Sequence, residues 1–220
     1  MSKFESFVDQ QLSTLLEKRS IATAIADELS NIQTDHEYEF MDQAEAILKE
    51  AGGKFLGKGF FSSVYGGESG GYVVKIANND TAFRKFYKGI QGDDNPFLPK
   101  IVEHRSIQLE RMMDIYVLER LVVSENRNLA ILGELEDITG SQYGFEDFIE
   151  NILKKQYYYL SLGKQDQIDA FFEKYNRTFD EFYDFARLFF KITGHHENDL
   201  HHENFGLDSS GGLVFFDPIS

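Results

Sequence analysis

A chain of 220 residues that is 42% hydrophobic and 15% aromatic has the composition of a folded protein, not of a disordered one. It contains no cysteine, which excludes disulfides, thiolate metal sites and cysteine nucleophiles, and its net charge of −15 argues against direct nucleic-acid binding. The opening MSKFESFVDQ lacks a signal-peptide core and no apolar run reaches membrane-spanning length, so a soluble, cytoplasmic protein is expected.

The first element in chain order is a helix over 2–32, with Ser2 and Glu5 as a capping box and Phe4, Phe7, Val8, Leu12, Leu15 and Leu16 at helical spacing. A second helix over 38–51 stops at Gly52-Gly53. Residues 1–50 carry 11 acids and 4 bases, whereas 53–123 carry 8 acids and 10 bases, a change of sign that suits a segment handling an anion. From Lys54 to about Val123 the runs KFLGKG, SSVYGG, GYVVKIA, KIVEHRSI and MDIYVLERLV read as strands, interrupted by one short helix, TAFRKFYKGI. After Ser124 the pattern returns to helix, with segments near 145–160, 165–175 and 178–193. Thr178 and Glu181 form a capping box before FDEFYDFARLFF, whose aromatic spacing predicts a core face.

Two stretches carry chemistry. In LGKGFFSSVY, Gly57 and Gly59 lie between strands, where they permit a tight turn and close approach to a phosphate, and Lys75 falls on the next strand. The strand on each side excludes a Walker A loop or a Rossmann turn, both of which need a helix after the glycines. In the final stretch, Asp199 and Asn204 are five apart and Asp217 lies thirteen further on. The intervening FGLDSSGGLVFF reads as a hairpin that brings Asn204 and Asp217 together at one end, an amide and a carboxylate suited to Mg²⁺. Asp199, just upstream, is placed to accept a proton from an attacking hydroxyl. Four of the six histidines fall in the same stretch, at 195, 196, 201 and 202, but no HExxH spacing occurs, which counts against zinc.

Glycine loop, strand lysine, D-x-x-x-x-N and a late aspartate, in this order, resemble the protein-kinase family over roughly residues 53–220. The resemblance implies an α+β, bilobal protein-kinase-like fold: a small antiparallel sheet lobe and a mostly helical lobe, truncated after the metal-binding aspartate. Its expected divisions are an N-terminal helical extension at 1–52, a nucleotide-binding lobe at 53–123 and a helical lobe at 124–220. EAGGKFLGKGFFSSVY, AFRKFYKGIQG and the ending LVFFDPIS are most similar to the early Ser/Thr protein kinases of short-tailed lytic bacteriophages, which modify host proteins.

By that resemblance ATP and Mg²⁺ are the cofactors and host proteins the acceptors. Gly57, Lys58, Gly59, Phe60, Phe61, Ser62 and Val64 cover the phosphates, with Ser62 in place of the usual third glycine. Lys75 contacts the α- and β-phosphates, and Glu119 and Leu121 belong to the hinge that meets the adenine. Asp199 serves as base, His201 as a phosphate or substrate contact, and Asn204 and Asp217 hold the metal.

Three departures stand against the family pattern. Glu197-Asn198 replaces the histidine-arginine pair before the catalytic aspartate. Between Lys75 and Pro96 there is no glutamate, only Asp80, Asp93 and Asp94, so the lysine's partner is missing, shortened or supplied from elsewhere, the N-terminal helices included. The chain stops at Ser220, before any activation segment. DLHHEN also fits small-molecule kinases of the aminoglycoside and choline type, which carry a histidine two residues after the catalytic aspartate, and the departures together suit a pseudokinase that binds and blocks a host protein.

Overall fold

The computed structural model describes residues 21–67, 71–140, 144–154, 163–194 and 200–217. The capping box at Ser2, the later part of the 145–160 helix, His195, His196 and Asp199 lie outside the described residues. The chain divides into two compact units, Met1–Asp80 with Lys100–Arg120, and Thr81–Pro99 with Leu121–Ser220.

The first unit is an antiparallel sheet with helices on one face. Its strands are β1 (Lys54–Lys58), β2 (Ser62–Gly66), β3 (Tyr72–Asn78), β4 (Ile101–Gln108) and β5 (Met112–Glu119), in the order β1-β2-β3-β5-β4. The apolar, β-branched strands β3 and β5 are central and pair from Tyr72↔Glu119 to Asn78↔Met113, while the polar β4 and glycine-containing β1 take the edges. Helices α1 (residues 21–30) and α2 (Glu37–Glu50) bury Ala26, Leu29, Phe40, Ala44 and Leu48 against Val74, Ile76, Met113, Ile115 and Val117. Side chains alternate across a strand, so Lys75, Asp114 and Tyr116 belong to the opposite face. The described part of the helical extension therefore cannot supply the partner of Lys75.

The second unit is mostly helical. It holds α3 (Thr81–Ile90), α4 (Glu125–Thr139), α5 (Gly144–Lys154), α6 (Gln165–Lys174), α7 (Phe179–Thr193) and a hairpin of β6 (Phe205–Leu207) and β7 (Leu213–Phe215). The capping box of α7 forms, with Glu181 N donating to Thr178 Oγ1 at 3.2 Å and Thr178 N to Glu181 Oε2 at 2.7 Å. Phe182, Phe185 and Phe189 on α7 are buried as their spacing predicts. Phe97, fully buried, sits among Phe172, Phe182, Phe185 and Phe215 with ring centroids 5.3 to 6.1 Å apart. Gly89 on α3 meets α7 so closely that a Cβ would come within 2.5 Å of Ile192. Helix α4 has no hydrophobic stripe to announce it: its buried positions are Asn128, Ile131, Leu135 and Thr139, half of them polar.

The architecture is thus α+β, an antiparallel five-stranded sheet in one unit and helices with a small hairpin in the other. No helix among the described residues is long and apolar enough to cross a membrane.

Candidate functional site

Two sets of motif residues are built separately, one in each unit. In the sheet unit, the turn between β1 and β2 closes through Gly59 N donating to Ser62 O at 2.9 Å, and Asn78 N ties Phe61 O to the end of β3 at 2.7 Å. Neither Gly57 nor Gly59 has a positive φ, so the turn itself does not require glycine at either position. A Cβ at Gly57 would meet no heavy atom within 4 Å, and one at Gly59 would meet only Ser62 Oγ, at 3.3 Å. What the glycines provide is open space over the loop backbone, the property a closely approaching ligand requires. Phe60 and Phe61 stand at the tip edge to face, centroids 4.7 Å apart, with Phe60 92% exposed.

Lys75 lies on β3 opposite Val64 of β2, directly behind the turn, and is 5% exposed. Its Nζ is 4.0 Å from Asp80 Oδ2, itself buried. The carboxylate comes from the residue before α3, where a protein kinase would place a glutamate within the helix. Asn79, at φ 48, reverses the chain after β3 and carries Asp80 back toward the lysine.

On the same sheet face Asp114, fully buried, accepts from Ser106 Oγ at 2.6 Å and lies 3.0 Å from His104 Nε2, while the His104 ring stacks on Tyr116. Serine, histidine and aspartate meet here without forming a hydrolytic triad, because the serine donates to the carboxylate and a single imidazole nitrogen faces both.

The stretch expected to form the hinge makes three backbone hydrogen bonds. Glu119 N donates to Lys100 O, Arg120 N to Gly71 O and Val122 N to Leu207 O, at 2.9, 2.8 and 2.7 Å. Among the described residues no backbone partner is seen for Leu121 N. Glu119 pairs through its side chain with Lys100 at 3.2 Å.

In the helical unit the hairpin forms as the spacing implies, Phe205↔Phe215 through Leu207↔Leu213. Phe216 N donates to Asn204 O at 3.0 Å, which puts Asp217 one residue past the position opposite Asn204. An amide oxygen and a carboxylate at one hairpin end are hard-oxygen donors that fit Mg²⁺, a cation usually held by one or two such groups with phosphate and water filling the rest. His201 flanks them: its Nδ1 accepts from Glu203 N at 3.1 Å, and its Nε2 lies 3.1 Å from the Asn204 amide.

Three anchoring groups fall outside the sequence motifs. Glu146 Oε1 on α5 accepts from Leu200 N at 3.2 Å, and Asn128 Nδ2 on α4 donates to His202 O and Phe205 O at 2.6 and 2.7 Å. Arg177 Nη2 pairs with Asp208 Oδ2 at 2.7 Å while its Nε donates to Leu213 O at 3.0 Å, bracing the hairpin turn. None has a motif spacing: Asn128 is buried on α4, Glu146 is half-buried on α5, and Arg177 is buried in the loop before α7.

An open groove of about 780 Å³ between the 93–96 loop and α7, lined by Asp93, Asp94, Glu181, Asp184, Arg187 and Lys191, contains none of the motif residues. Among the described residues no group of three or more His, Asp or Glu side chains could hold a metal ion.

No protein-family model and no curated protein matches the chain. Among solved structures it is similar to the BubR1 kinase domain, with 16% identity and a TM-score of 0.30 over 74% of this chain and 44% of that one. It is also similar to a thermostable mutant of aminoglycoside phosphotransferase APH(4)-Ia in ternary complex with ADP and hygromycin B. That match has 14% identity and a TM-score of 0.34 over 79% of this chain and 69% of that one. The chain thus spans less than half the length of the first of these. Scores this low leave this chain's own geometry to carry any functional reading.

Proposed function

We propose that the chain is an ATP- and Mg²⁺-dependent phosphotransferase, a Ser/Thr protein kinase of the phage type that modifies host proteins in the infected cell. The observation that carries the reading is the buried Lys75 lying directly behind a glycine turn whose backbone is left uncovered. A buried ammonium under an open loop suits phosphate oxygens. The Asn204–Asp217 end of the hairpin supports the metal half of the reading.

In this reading Lys75, held by Asp80, binds the α- and β-phosphates, and Gly57 and Gly59 let loop amides approach them. Leu121 N meets the adenine. Asn204 and Asp217 would hold Mg²⁺, which would supply charge neutralisation at the phosphoryl group. Asp199, which lies outside the described residues, takes the proton of the acceptor hydroxyl. That oxygen bonds to the γ-phosphorus, the bond to the β–γ bridging oxygen breaks, and ADP leaves. Positioning and charge neutralisation supply most of the acceleration in such sites.

Binding of Mg-ATP measured by calorimetry tests the site. Binding is expected for the unaltered chain and is expected to be lost in Lys75→Met and Asp217→Asn; equal binding by all three would refute it. The histidine two residues after Asp199 favours a second reading, a small-molecule acceptor. Labelled ATP separates the two, since protein bands carry the label in one case and small products in the other. A pseudokinase would bind Mg-ATP and label neither.

A further inference from the structure

Asn128 is fully buried on α4, far from any kinase motif in the sequence, yet its side chain reaches the loop that carries Asn204. The amide nitrogen has two hydrogens, and both are used: one goes to His202 O at 2.6 Å, the other to Phe205 O at 2.7 Å. These carbonyls stand on either side of Asn204. The amide cannot be turned round, because its oxygen would then face two carbonyl oxygens. Its Oδ1, meanwhile, is buried with no hydrogen-bond partner among the described residues. An orphaned buried acceptor is a standing cost to the fold, set against the two backbone carbonyls that the same side chain satisfies.

We propose that Asn128 is a positioning residue for the metal site: by clamping the carbonyls of His202 and Phe205 it fixes the backbone on both sides of Asn204 and so aims that residue's amide oxygen at the cation. The role rests on the phosphotransfer reading of Asn204 and Asp217. It adds an anchor from α4 to the hairpin bond from Phe216 N, so that Asn204 is held before, at and after its own position. Groups that orient a metal ligand without touching the metal commonly govern affinity as strongly as weak ligands do.

The test uses the full chain, an unreactive ATP analogue and Mn²⁺ in place of Mg²⁺, with bound Mn²⁺ read by electron paramagnetic resonance. Asn128→Asp keeps the shape and removes both donors. Its Mn²⁺ affinity is expected to fall about tenfold or more, while nucleotide affinity without metal stays unchanged. Leu135→Ala, on the same helix and touching neither carbonyl, is the control for stability and is expected to keep the affinity of the unaltered chain. If Asn128→Asp does not fold, Asn128→Ser, which retains one donor, decides by the same readout. Affinity unchanged in the folded Asn128 variant, or lost equally in Leu135→Ala, overturns the positioning role alone. If neither the unaltered chain nor Asn204→Ala binds Mn²⁺, the metal reading itself fails and the positioning role falls with it.

Discussion

Gly57 is occupied by a residue that nothing in the fold demands, for its φ is not positive and a Cβ there would touch no protein atom within 4 Å. Gly57→Ala is therefore expected to leave the melting temperature unchanged and to weaken Mg-ATP binding on the order of tenfold, about 1.4 kcal/mol. Equal affinity in a titration would show that the open backbone serves no ligand. Lys75 gives the complementary case, a residue whose burial demands a partner. Asp80→Asn removes the carboxylate 4.0 Å from the buried ammonium and is expected to destabilise the protein by about 3 kcal/mol in urea melts. It should also weaken nucleotide binding, as the pair holds Lys75 in place.

At the scale of elements, α7 and the hairpin bear most directly on the second unit. Thr178→Ala removes the reciprocal cap of α7 and is expected to cost about 1 kcal/mol. Phe182→Ala empties the middle of the aromatic cluster and is expected to cost about 3–5 kcal/mol, both read from chemical denaturation. The hairpin turn has its own pH signature. Burial pushes the Asp208 carboxyl up, but hydrogen bonds from Ser210, Arg177 and the Gly212 and Ser210 amides outweigh it and hold the group down at about 2, against an ordinary value of 3.8. A folded value below the unfolded one means the contribution is present above about pH 4 and is lost as pH falls through about 2. Stability is expected to decline across that window, and Asp208→Asn to flatten the decline; an unchanged slope in acid-titrated thermal melts would contradict the assignment.

At the scale of the whole molecule, the sheet unit and the hairpin could be read from sequence because their punctuation is local. Alternation in YVVKIAN sets Lys75 opposite its apolar neighbours, and SSGG between two apolar runs marks the turn that brings Asn204 and Asp217 to one end. Helix α4 escaped because half of its buried positions are polar, and Asn128 escaped with it, since a side chain that bonds to backbone carbonyls leaves no spacing to find. Asp80 stood among three candidate aspartates, and choosing it needed the positive φ of Asn79, which sequence does not display.

Transfer of labelled γ-phosphate from ATP tests the phosphotransferase reading most directly, with bacterial proteins and extracted small molecules both offered as acceptors, for the unaltered chain and for Asp199→Asn. A labelled product that disappears in Asp199→Asn is the predicted result. No transfer to either pool, or transfer that Asp199→Asn leaves intact, would contradict it.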